Sequence, residues 1–171
     1  GAKMARAVAA TPLEDFPGQP LEASFDDVVD TEPWAFLDTI EPIAQVGVLR
    51  SCLDRAKDTL REANDYKREH ADCSLSVDGL AAIMKYTAED GKPTFYTSMN
   101  GSCYEKERSK VGPFVPYMWL LLKTLSHLQP YTGTEVYRGV KLNLRDEYVH
   151  RKSRGKLVTF WSFTSTTKNE A

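Results

Sequence analysis

Val136-Tyr137-Arg138-Gly139-Val140 and, further on, Phe160-Trp161-Ser162-Phe163-Thr164-Ser165-Thr166-Thr167 are the runs on which the reading of the fold turns. Tyr, Val, Phe, Trp and Thr dominate both, and β-branched and aromatic residues pack well on a pleated surface, so each run reads as a strand. An Arg set between apolar neighbours on a strand needs an acceptor, and a Gly beside it lets a backbone or ligand come close. The pair suits a phosphate-bearing ligand, because the guanidinium fork holds two phosphate oxygens at fixed geometry. On the second run, alternation sends Trp161, Phe163, Ser165 and Thr167 to one face and Thr166 to the other. No His or Asp stands at a telling position near Ser165, so the hydroxyl reads as an orienting group rather than a nucleophile.

Upstream of these runs the period is helical. Leu49, Cys52, Leu53, Ala56, Leu60 and Ala63 recur at three- and four-residue steps with charged residues opposite, which predicts one long amphipathic helix from Glu41 to Lys67. Ser76 or Asp78 is a suitable N-cap for a second helix through Ala88, which Asp90-Gly91 and Pro93 stop. A third is expected over Thr94 to Lys106, although Gly101 costs it about 1 kcal/mol relative to Ala. Gly112-Pro113 and Pro116 open a fourth, Tyr117 to Gln129, with Met118, Leu121, Leu122, Leu125 and Leu128 assigned to the core. Helices first and strands afterwards predict an α+β fold, the helical part packed over a sheet. Residues 1–38, with Pro12, Pro17, Pro20 and Pro33 among acidic side chains, read as an extended lead-in, and 39–171 as the domain.

The 171 residues are enough for one core, and 42% hydrophobic with 27% charged residues describes a globular chain. A net charge of -2 gives no global pull toward nucleic acid or an anionic membrane. The apolar run Tyr117 to Leu125 contains Lys123 and falls short of the ~20 residues of a membrane span. Cys52, Cys73 and Cys103 are odd in number and lack a CxxC or a nearby His, so a reducing, cytoplasmic setting without a metal is expected. The basic run from Arg145 to Lys156 reads as a solvated loop, and His70, His127 and His150 receive no role.

An aromatic-Arg-Gly strand followed by an aromatic-x-Ser-Thr-Ser-like strand resembles the Arg-Ser-Glu class of mono-ADP-ribosyltransferases. The resemblance extends in looser form to Ala81-Ala82-Ile83-Met84-Lys85-Tyr86-Thr87, to Met99-Asn100-Gly101 and to Phe114-Val115-Pro116-Tyr117, and so covers the chain from Ser76 on. It departs from the pattern at Thr167, which stands where the motif has Ser. It departs again after Thr167, where no Glu-x-Glu follows; Glu105-Lys106-Glu107 imitates that motif but precedes the Arg run.

What the resemblance implies is a mixed β core of ADP-ribosyltransferase type and NAD+ as co-substrate. ADP-ribose would pass to a protein acceptor, arginine being the favoured side chain, with release of nicotinamide. Arg138 and Ser165 would be the catalytic positions. Arg138 would clamp the NAD+ phosphates with Tyr137 beside it, the Gly139 backbone would meet the nicotinamide amide, and Ser165 would orient the catalytic Glu. Thr166 and Thr167 would shape the same wall, and Phe163 or Trp161 would pack against nicotinamide. Without the Glu, these 171 residues alone are expected to show little transfer. The alternative is a non-catalytic module of the same fold that binds NAD+ or a protein partner, with the long helix as its contact surface.

Overall fold

The computed structural model describes residues 25–45, 51–89, 91–105, 107–133, 135 and 162–163. The chain forms two compact units, one of residues 18–129 and one of residues 1–17 with 130–171. Five helices are described, all in the first unit: α1 (Phe36–Gln45), α2 (Ser51–Glu69), α3 (Val77–Thr87), α4 (Phe95–Ser102) and α5 (Val115–Ser126). Two 3-10 turns, Arg108–Lys110 and Gly112–Phe114, lead into α5.

Each start has a local cause. Ser76 is extended and its hydroxyl accepts from Gly79 N at 3.0 Å, which caps α3. Thr94 does the same for α4, accepting from Thr97 N at 3.3 Å. Pro116 sits in the first turn of α5, where a missing N–H costs nothing. The start of α1 is capped from another helix, since Phe36 N donates to Asp78 Oδ1 of α3 at 2.8 Å. After α3, Ala88 is extended and Gly91 has φ +81°, a conformation that suits Gly.

Packing follows the buried faces. α2 lies against α1 and α3, and α5 against α1 and α3. Ala56 and Ala63 of α2 are buried, and their small size lets that helix approach its neighbours. The core proper comes from Phe36, Ile40 and Ile43 of α1, Ala81 and Ala82 of α3, Phe95 and Met99 of α4, and Tyr117, Met118 and Leu121 of α5. The Phe95 ring meets Tyr117 edge-on at 4.7 Å and Phe114 at 6.1 Å. Buried Tyr117 satisfies its hydroxyl by donating to Ala82 O at 2.6 Å, which ties α5 to α3. Lys67, near the end of α2, donates to Cys73 O and, at 2.8 Å, to Leu75 O, and so closes the loop into α3.

The α+β expectation is overturned for the described residues: they contain helices and turns and no strand. Ser162 and Phe163, assigned to the second strand, form a bend and irregular backbone. Strand propensity is realised only with cross-strand neighbours, and the described helices bury apolar faces on one another. The rest of both predicted strands, 136–140 and 160–167 apart from Ser162 and Phe163, lies outside the described residues.

Within the stretch 1–38 read as an extended lead-in, α1 begins at Phe36 and Val28 is buried. A further expectation is corrected. On α5, Met118 and Leu121 are buried as expected, but Leu122 and Leu125 are exposed, as is Leu128 just beyond it, and Tyr117, Leu120 and Thr124 take their place. The run is apolar at nearly every position, so its period carries no phase. The packed face is chosen by the Tyr117 hydroxyl and by the close approach of Thr124 to Gly79.

Candidate functional site

Of the residues that the sequence marks for a site, Tyr137, Arg138, Gly139, Ser165, Thr166 and Thr167 lie outside the described residues, as does Trp161. Phe163 is described and half-buried, with Ser162 Oγ donating to its carbonyl at 3.5 Å. The described residues therefore bring none of that set together. Glu105 and Glu107 are surface groups: Lys110 Nζ lies 3.2 Å from Glu105 Oε2, and Ser109 Oγ donates to Glu107 Oε1 at 2.9 Å. Both glutamates lie in irregular backbone between the end of α4 at Ser102 and the 3-10 turn Arg108–Lys110, not at a helix end.

The 18–129 unit holds a cleft of about 430 Å³ that the sequence did not announce. Its walls are the segment 32–35, the turn into α3 at 74–78, and the α5 face that carries Leu120, Lys123, Thr124 and, just past the helix end, His127. The segment 32–35 is a strap fixed at both ends. Trp119 Nε1 donates to Thr31 O at 3.1 Å on one side, and Phe36 N donates to Asp78 Oδ1 on the other.

Several polar groups of the cleft have a defined setting. Lys123 Nζ lies 4.6 Å from the centroid of the Trp119 ring, a cation over an aromatic face. His127 Nδ1 is 2.7 Å from Lys123 O, which fixes the ring and leaves Nε2 outside that contact. Thr124 donates to Leu120 O at 2.8 Å, so its hydroxyl is spent within α5. Ser76 Oγ is occupied as the α3 cap and Asp78 Oδ1 as the α1 cap, while Trp34 stays 45% exposed. Lys123 supplies an ammonium, His127 an imidazole, Glu32 and Asp78 carboxylates, and Trp34 a ring.

Sequence reasoning passed over these groups because they come from three separated segments. Trp34 had a signal, an aromatic at the end of a Pro-rich stretch; Lys123 and His127, one turn apart on an apolar helix, had a weaker one.

Elsewhere, Lys85 of α3 is buried with its ammonium 5.6 Å from the Phe95 ring centroid. Among the described residues no group of three or more His, Cys, Asp or Glu side chains is arranged to hold a metal ion. Cys73 is a free thiol, and the thiol of buried Cys103 donates to Met99 O at 3.5 Å. No described helix is long and apolar enough to cross a membrane.

Comparison of the chain with protein-family models, with curated proteins and with solved structures gives no match.

Proposed function

We propose that the protein acts in NAD+-dependent mono-ADP-ribosyl transfer to a protein side chain, with arginine as the acceptor. The observation that carries the reading is the ordered pair of motifs, Tyr137-Arg138-Gly139 followed by Phe163-Thr164-Ser165-Thr166-Thr167. It rests on those residues and makes no use of a sheet.

In the reaction the bond between the ribose anomeric carbon and the nicotinamide nitrogen breaks, and its electron pair leaves with nicotinamide. A bond from that carbon to an acceptor guanidinium nitrogen forms, and the nitrogen gives up a proton. Departure of nicotinamide builds positive charge on the ribose, so gripping the dinucleotide in a reactive pose contributes much of the acceleration. Arg138 holds the phosphates, Gly139 admits the nicotinamide amide to the backbone, and Ser165 orients the carboxylate that faces the ribose. The motif residues do not themselves supply that carboxylate, so binding of NAD+ is the property these residues confer.

The alternative is a non-catalytic module of which the stretch 41–67 is the contact surface, and α2 supplies part of that stretch. Among the described side chains, the outward face of α2 carries Lys57, Asp58, Arg61, Glu62, Asp65 and Arg68, with Asp58–Arg61 and Asp65–Arg68 paired along it.

Arg138→Lys tests the grip, because it keeps the charge and removes the fork. NAD+ and ADP-ribose are expected to bind the variant about tenfold more weakly, as loss of a charge-assisted bond implies, and nicotinamide to be unaffected. Equal affinity of the wild-type chain and the variant for NAD+ would remove the assignment.

A further inference from the structure

We draw no further inference here: the strongest candidate, the apolar surface patch that Leu122 and Leu125 of α5 and Leu128 just beyond it present to solvent, carries nothing, because nothing among the described residues shows what covers it.

Discussion

Gly79 of α3 and Thr124 of α5 are packed so closely that a methyl group at position 79 would lie 2.6 Å from Thr124 Oγ1 and 2.7 Å from its Cγ2. The contact sets the spacing of the two helices that form one side of the cleft. Gly79→Ala is expected to destabilise the chain by about 1–3 kcal/mol through overpacking, although helix propensity alone favours Ala by roughly 1 kcal/mol. The double variant Gly79→Ala/Thr124→Ala is expected to recover part of the loss. Denaturant melts measure both, and a stabilised single variant would show that the helices can separate freely.

The buried face of α5 makes a second prediction. Leu121 is 2% exposed and Leu122 41%. Leu121→Ala is expected to cost about 2–5 kcal/mol as a core truncation. Leu122→Ala, on the open side, is expected to stay within about 0.5 kcal/mol of wild type. Equal losses in the two would mean that the helix is turned differently from the face described.

Asp78 links two helices, because its carboxylate caps α1 through Phe36 N while it sits in the first turn of α3. Asp78→Ala is expected to cost about 1–2 kcal/mol, the scale of a lost N-cap. It also frees one end of the 32–35 strap, so limited proteolysis should cut that segment faster than in the wild type. An unchanged cleavage rate would show that the strap is held by Trp119 alone.

The tie between Tyr117 and Ala82 is a buried hydrogen bond between α5 and α3. Tyr117→Phe keeps the ring packing on Phe95 and removes only the hydroxyl, so a loss of about 0.5–1.5 kcal/mol is expected. A loss several times larger would mean that the ring itself had moved, and near-ultraviolet circular dichroism reports that directly.

Much of the helical half could be read from the residues. A cap at Ser76 or Asp78, of which Ser76 takes the role, the stop near Gly91, and the Pro-opened helix before Leu120 all follow from local chemistry that tertiary packing does not override. The phase of α5 could not be read, since the run from Val115 to Leu125 is apolar almost throughout and gives the moment of a helix no direction. Nor could the start of α1, because its cap comes from Asp78, forty-two residues away, and lends the sequence around Phe36 no local signal. The strands were inferred from propensity, which depends on neighbours that a sequence does not name; at Ser162 and Phe163 it failed. The cleft was illegible for a related reason, as Trp34, Asp78 and Lys123 meet only after folding.

The central functional claim is that Arg138 grips NAD+. The most direct measurement is calorimetric titration of NAD+ into the 171-residue chain and into Arg138→Ala, with thermal melts run alongside. The wild-type chain is predicted to bind, and the variant to bind at least about tenfold more weakly at an unchanged melting temperature, as removal of a charge-assisted phosphate contact requires. Equal affinity in both chains, or no binding of NAD+ by the wild type, would contradict the claim.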